Sequence, residues 1–232
     1  MTIAEARVVP AGDAAWLVEL PDRLDAGING RAVDLAARIR SASWPGVRDV
    51  VVGFRTVMVY VDPLGAGVDA VPQRLDEILA QPASGRGREG SSIEVPVCYD
   101  GACGPDLPDI AAFAGCAPEE VVRRHLAREY RVFVVGFMPG FAYMASVDPR
   151  IAAPRRSSPR LKVPPGSVAI AAGQTGIYPS ESPGGWHIIG RTPAKPYDPD
   201  RAEAFLFAPG DRVRFVRISA REFDASSRWG AK

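Results

Sequence analysis

Residues 129–193, in the second half of the chain, are the most informative part of the sequence and read EYRVFVVGFMPGFAYMASVDPRIAAPRRSSPRLKVPPGSVAIAAGQTGIYPSESPGGWHIIGRTP. Runs of β-branched and aromatic residues alternate in it with glycine and proline, which is typical of short strands joined by tight turns. The candidate strands in and around it cover residues 93–97, 131–137, 167–172, 187–191, 204–207 and 212–218. This pattern predicts a mainly-β domain built as a closed or nearly closed barrel.

Two short helices are predicted between the first two of these strands, over residues 106–114 and 118–129. The second has proline at its first position, Pro118, followed by Glu119 and Glu120, which is a favourable helix start. The barrel domain is expected over residues 91–225, and the tail after Ile218 is expected to be frayed.

The first part of the chain predicts a small α+β domain over residues 1–82. Its candidate strands cover residues 14–20, 47–52 and 56–62. One helix follows Pro21, with apolar residues spaced along a single face, and another covers residues 71–80. The order strand–helix–strand–strand–helix resembles a split β-α-β arrangement, so we expect an open sheet with two helices on one face. Residues 81–92, QPASGRGREGSS, are typical of a linker.

The composition narrows the class of protein. The 232 residues carry 28 Lys plus Arg against 27 Asp plus Glu, a net charge of +1, which argues against a nucleic-acid-binding protein. Three cysteines without metal-ligand spacing and two distant histidines predict no metal site in this chain. No stretch is apolar enough to span a membrane and no signal peptide is evident, so a cytoplasmic location is expected.

Two loops and a basic segment form the candidate site. The loops, GFMPGF at residues 136–141 and SESPGGW at 180–186, set glycine and proline around aromatic residues, which suits either close approach to a ligand or a barrel corner. Between them, Arg155, Arg160 and neighbouring basic residues alternate with prolines that prevent a helix. This segment is either a cradle for a phosphate or carboxylate or a solvated loop.

His125 is the candidate for proton transfer. It lies on the predicted helix four positions before Glu129, a spacing that permits an ion pair, and histidine titrates near neutral pH. A surface or capping histidine is the alternative. The other histidine, His187, is expected to be structural or to line the pocket.

Several catalytic motifs are missing from the sequence. It has no GxxxxGK[ST] loop, no GxSxG elbow and no biotin-acceptor lysine flanked by methionine. The chain by itself is therefore not expected to be a complete catalyst.

The motif-rich stretch closely resembles the family formed by the B subunits of 5-oxoprolinases, also called allophanate hydrolase subunit 1. The matching runs include residues 136–141, 163–168, 173–179, 182–186 and 189–193. The resemblance implies a small α+β domain followed by a cyclophilin-like barrel. It also implies two partners, the C and A subunits of 5-oxoprolinase. With them the chain would use ATP, bound together with a partner, to convert 5-oxo-L-proline to L-glutamate.

By this resemblance, arginines would stabilise the charge that develops when the lactam oxygen is phosphorylated. Arg155 and Arg160 are expected to bind carboxylate or phosphate, and His125 to transfer a proton. The residues expected to bind the small-molecule substrate or a partner are Phe137, Pro139, Gln174, Thr175, Tyr178, Ser182, Pro183, Gly184 and Trp186.

Two other functions stay open. The carboxyltransferase part of urea carboxylase resembles fused versions of two such subunits, so a carboxyltransferase role with a separate biotin carrier is one alternative. The other is a binding-only regulator that inhibits a sensor histidine kinase, as one relative does.

Overall fold

The protein is described by a computed structural model over residues 6–82 and 90–226. The chain divides into two compact units, Met1–Glu89 and Gly90–Lys232. The predicted fold class, an α+β unit followed by a mainly-β barrel, is confirmed. The predicted linker over residues 81–92 falls largely on residues 83–89, which lie outside the described residues.

The first unit contains a four-stranded antiparallel sheet in the order β1-β2-β4-β3. Its strands are β1 (Arg7–Pro10), β2 (Ala15–Glu19), β3 (Val47–Val52) and β4 (Thr56–Val61). Val57, Val59 and Val61 bury one face of β4, as their two-residue spacing predicts. The sequence did not predict β1, because four residues ending in proline show no alternation.

Two helices share the core of this sheet. Helix α1 (Ala26–Ala42) begins where the Asp25 side chain accepts the backbone N–H of Ile28 at 2.9 Å, and helix α2 (Val71–Ala80) begins next to a proline. Both helices contribute apolar residues to one cluster with the valines of β4. The predicted packing of two helices against one sheet follows from this shared core.

The second unit is built around a seven-stranded closed barrel in the order β10-β7-β6-β13-β5-β12-β9, in which only β13 and β5 are parallel among the described strands. A two-stranded ribbon, β11-β8, is separate from the barrel. The strands of the unit are β5 (Ser92–Cys98), β6 (Glu129–Val135), β7 (Ala142–Ala145), β8 (Arg160–Val163), β9 (Ser167–Ala171), β10 (Gln174–Ile177), β11 (Ser182–Gly184), β12 (His187–Arg191) and β13 (Arg212–Ile218).

Helices α3 (Leu107–Ala114), α4 (Pro118–Leu126) and α5 (Ala220–Ala225) complete the second unit. The predicted frayed tail is wrong for residues 219–226, because the Ser219 and Glu222 side chains form a reciprocal cap at the start of α5. The predicted strand over residues 204–207 is also wrong: Phe205 forms only an isolated bridge with Tyr197. Helix α4 ends three residues earlier than predicted.

The two faces of β9 show how the barrel positions the candidate site. Val168 and Ile170 point into the barrel core, whereas Ala169 and Ala171 belong to a second, outer cluster. Val163 of β8 belongs to the outer cluster too, so the ribbon covers this side of the barrel. No helix within the described ranges is long and apolar enough to cross a membrane.

Candidate functional site

An aromatic cluster on the outer side of the barrel brings the two glycine- and proline-rich loops together. Phe141 stands at its centre and forms edge-on contacts with four other aromatic rings. The ring centroids of Phe137, Tyr143, Tyr178 and Trp186 lie 5.7, 4.8, 5.3 and 5.5 Å from that of Phe141. The cluster therefore fixes both loops, residues 136–141 and 180–186, on one side of the barrel.

Tyr178 and Gly184 are packed against each other within this cluster. A side-chain carbon at Gly184 would overlap the Tyr178 hydroxyl, so only glycine fits there without displacement. Burial raises the pKa of Tyr178, while a hydrogen bond from the backbone of Trp186 and the charge of Arg155 oppose that rise. Tyr178 and Trp186 are buried, so they shape the site through packing.

The basic segment is tied directly to the second loop. The backbone N–H of Arg156 donates to the carbonyl of Gly185 at 2.8 Å. Gly185 also lies close to Pro159, whose side chain would be in ordinary contact with a β-carbon at that position. The arginines of residues 155–160 are consequently held beside the aromatic cluster.

Asp106, next to the start of α3, is the main partner of this segment. Its carboxylate accepts two hydrogen bonds from Arg160, at 2.8 and 2.6 Å, and one from Arg156 at 3.0 Å. It also accepts the backbone N–H of Ile188 at 2.7 Å. Burial alone would raise the pKa of Asp106, but these hydrogen bonds and the two positive charges lower it below its ordinary value.

Arg160 is therefore engaged by a carboxylate of the chain itself, whereas the prediction was that it binds a carboxylate or phosphate of the substrate. Arg155 differs from Arg160, because its side chain is exposed and no carboxylate of the described residues lies within ion-pair distance of it. Its charge acts on Tyr143 and Tyr178, which places the guanidinium near the aromatic cluster. Of the two predicted arginines, Arg155 is the one available to an external anion.

A cleft of about 450 Å³ opens beside Arg155. It is lined by Asp109, Phe113, Pro154, Arg155, Arg156 and His187, among others. The Nε2 atom of His187 lies 3.1 Å from the carbonyl oxygen of Pro154, and because a carbonyl only accepts, Nε2 carries the hydrogen. His187 thus lines a pocket, one of the two roles expected from the sequence.

His125 and Thr175 lie inside the barrel, apart from the other predicted residues. Both are fully buried, and the imidazole hydrogen-bonds the Tyr99 hydroxyl through Nδ1 at 2.9 Å and the Thr175 hydroxyl through Nε2 at 3.0 Å. Burial lowers the pKa of His125 to about 3. The predicted ion pair with Glu129 is wrong, because Glu129 lies near Arg212 and Arg214 on β13.

Direct contact of His125 or Thr175 with a substrate would require the barrel core to open, so we assign both side chains to the fold. The spacing of Val121, Val122 and His125 on α4 carried the signal for this position, since these three residues share the buried face of the helix.

Phe137 and Pro139 line a different, apolar groove of about 550 Å³, together with Phe205 and Phe207. The Phe137 side chain is 66% exposed, and its backbone has the left-handed φ of 75° that few non-glycine residues adopt. The groove has almost no charged lining, so it suits an apolar protein surface better than an anion.

The remaining predicted residues lie in the strands next to the site. Gln174 pairs with Ala145 and Ala171 in the barrel, and Ser182 and Pro183 form the ribbon strand that faces β8. Sequence reasoning gave no role to Asp106 and only a general one to Arg156, because their partners lie some 50 residues away in the chain. No cluster of three or more metal-ligating side chains occurs in residues 6–82 and 90–226.

The family described as carboxyltransferase domain, subdomain C and D, matches residues 6–207. The chain is 38% identical to the B subunit of 5-oxoprolinase from Bacillus subtilis (strain 168), with 92% of this chain and 93% of the relative covered. It is 39% identical to the protein of the same name from Escherichia coli O157:H7, with 91% and 95% covered.

Two solved structures show the same fold. TTHA0988 superposes with a TM-score of 0.79 at 36% identity, covering 88% of this chain, which spans 40% of that longer chain. The urea carboxylase of Kluyveromyces lactis superposes with a TM-score of 0.76 over 95% of this chain and 22% of that protein. At 19% identity, the latter likeness shows the fold alone.

The similarity to both bacterial proteins extends over nearly the full length of each relative. This chain therefore belongs to the carboxyltransferase subdomain C and D family and, within it, to the group of 5-oxoprolinase B subunits.

Proposed function

We propose that this chain is the B subunit of an ATP-dependent 5-oxoprolinase that converts 5-oxo-L-proline to L-glutamate together with the C and A subunits. The observation that carries the proposal is the 38–39% identity to two B subunits over more than nine-tenths of this chain. Because the reaction consumes ATP, we place it in the cytoplasm.

The chemistry of the proposed reaction requires a cation where negative charge collects. A lactam is a poor electrophile, and ATP would activate it by phosphorylating its oxygen. We propose Arg155 for this role, since it carries no carboxylate partner within the described residues. Arg160 would support Arg155 indirectly, because its hydrogen bonds to Asp106 fix the position of the basic segment.

ATP is proposed to bind together with a partner chain. This chain has no phosphate-binding loop of the GxxxxGK[ST] type, so a complete nucleotide site would need residues from elsewhere. The arginines of residues 155–160 would supply positive charge from this chain's side.

Contact with the C subunit is proposed at the apolar groove around Phe137 and Pro139. Exposed aromatic residues are enriched at protein interfaces, and Phe137 and Phe205 are 66% and 50% exposed. The A subunit would complete the hydrolysis on the assembled pair.

Carboxyl transfer is the second candidate. The family description and the shared fold with a urea carboxylase favour it. It would need a biotinylated carrier, because none of the three lysines in the sequence, Lys162, Lys195 and Lys232, is flanked by methionine.

ATP hydrolysis by the assembled complex distinguishes the two candidates. We expect 5-oxoproline to stimulate it. Transfer of the carboxyl group from a carboxylated biotin carrier to a small-molecule acceptor, by a folded complex whose ATP hydrolysis 5-oxoproline does not stimulate, would replace the proposed function with carboxyl transfer.

A further inference from the structure

We infer that the 450 Å³ cleft beside α3 binds a small cyclic amide that bears a carboxylate, with Arg155 on the carboxylate and with Arg156 and His187 on the amide. This inference rests on the proposed function and deepens it, since it assigns a binding site for the substrate within this chain.

Arg155 is the cation that the cleft offers to a carboxylate. Arg156, its neighbour in the lining, is already engaged by Asp106 at 3.0 Å and by Asp109 at 3.4 Å. Arg155 has no such carboxylate among the described residues, and its side chain is exposed at the cleft. A bidentate guanidinium–carboxylate contact is the strongest anion-binding interaction that an arginine makes.

Two polar atoms of the lining residues have no hydrogen-bond partner. They are Nε of Arg156 and Nδ1 of His187, and both are buried. Buried polar atoms in folded proteins are paired in the great majority of cases, so two unpaired atoms in the lining of one cleft require an explanation. A bound ligand that hydrogen-bonds both atoms provides it.

The hydrogen-bonding character of these two atoms matches an amide. Nε of Arg156 can only donate, which suits the oxygen of an amide carbonyl. Nδ1 of His187 accepts in the neutral ring, because Nε2 donates to Pro154, and an acceptor suits the amide N–H. Both atoms are buried, so each side chain must move for the ligand to contact them.

The size and walls of the cleft agree with a small ligand. Small-molecule sites commonly have volumes of roughly 300–1,000 Å³, and this one has about 450 Å³. Phe113 and Pro154 provide apolar walls for the methylene groups of a five-membered ring. Asp109 also lines the cleft, but its carboxylate lies 3.4 Å from Arg156, which offsets its charge.

The test is a calorimetric titration of the purified complex with 5-oxo-L-proline, repeated for Arg155→Ala and His187→Phe. We expect Arg155→Ala to weaken binding by roughly 10- to 100-fold and His187→Phe by roughly 3- to 10-fold. Arg221→Ala, an exposed arginine on α5, is the matched control and should leave binding unchanged.

The ligand is varied in the same experiment. 2-Pyrrolidinone, the lactam without a carboxylate, should bind more weakly than 5-oxoproline and should not respond to Arg155→Ala. Wild-type affinity of folded Arg155→Ala and His187→Phe for 5-oxoproline would overturn the assignment. If those variants also turned over 5-oxoproline normally, the cleft would be excluded as the binding site while the proposed function stood. Absence of both binding and turnover in the wild-type complex would remove the binding site and the proposed function together.

Discussion

The two oxygens of Asp106 and the two terminal nitrogens of Arg160 form a bidentate pair, at 2.8 and 2.6 Å, in which the carboxylate side chain is only 3% exposed. This pair joins the start of α3 to the ribbon strand β8, 54 residues later in the chain. The same carboxylate holds Arg156 and the backbone of β12. One buried side chain thus fixes the segment that carries Arg155.

Replacement of Asp106 by asparagine should lower the free energy of unfolding by about 2–4 kcal/mol, because two arginines lose their charged partner in a largely buried setting. Urea unfolding measures the change. Asp109→Asn is the control: the Asp109 side chain is 59% exposed and, within the described residues, forms an ion pair with Arg156 alone, so its loss should cost under about 1 kcal/mol. Equal losses for the two variants would contradict the role of Asp106.

Arg155→Ala and Arg160→Ala should differ in their effect on the free energy of unfolding. Removing Arg160 leaves part of the Asp106 carboxylate unpaired and should lower the free energy of unfolding by about 2–3 kcal/mol. Removing Arg155 should change it by less than about 0.5 kcal/mol, because the side chain is exposed and has no carboxylate partner within the described residues. A stability loss at Arg155 as large as that at Arg160 would mean that Arg155 is structural.

His125 should make the protein sensitive to acid. Its folded-state pKa, about 3, lies below the ordinary 6.5, so folding favours the neutral ring and the unfolded chain binds the extra proton. The stability that the neutral His125 ring contributes is fully present above pH 6.5 and is lost as the pH falls towards 3. Between about pH 7 and pH 4.5 the His125 contribution to unfolding should fall by about 2–3 kcal/mol.

The measurement is urea unfolding at both pH values for the wild type and for His125→Asn. The variant should be less stable at neutral pH and should lose less on acidification. A pH dependence identical to that of the wild type would show that His125 does not supply the effect.

Gly184→Ala should lower the free energy of unfolding by about 1–3 kcal/mol, because the added carbon would overlap the Tyr178 hydroxyl. Tyr178→Phe removes that hydroxyl and should restore part of the loss in the double variant. The control is Gly173→Ala, where a side-chain carbon would meet open space. If the stability changes of Tyr178→Phe and Gly184→Ala simply added in the double variant, the overlap with the hydroxyl would not be the cause of the loss.

The sequence predicted the elements whose patterns are local. The apolar spacing of α2 and the alternation of β4 each appear within one element, and both were located correctly. Strands β7, β8, β10 and β11 were missed, because each has only three or four residues with glycine or proline in or near it. Their pairing depends on partners elsewhere in the barrel, which no local pattern shows.

The candidate site was predicted in part for the same reason. The loops around Phe141 and Trp186 could be found from their glycines and prolines, and they do meet in one cluster. The sequence could not show which arginine is free of a carboxylate partner. That depends on Asp106, which lies some 50 residues before Arg156 and Arg160. Proton transfer was predicted for His125 because of its residue type. Its position on the buried face of α4 makes it a core residue instead.

The decisive measurement is the rate of glutamate release from 5-oxoproline and ATP, with this chain combined with its C and A partner subunits and with each protein omitted in turn. If this chain is the B subunit of a 5-oxoprolinase, we expect release only when all three proteins are present. Undiminished release without this chain, or no release from a verified and folded complex, would show that it is not.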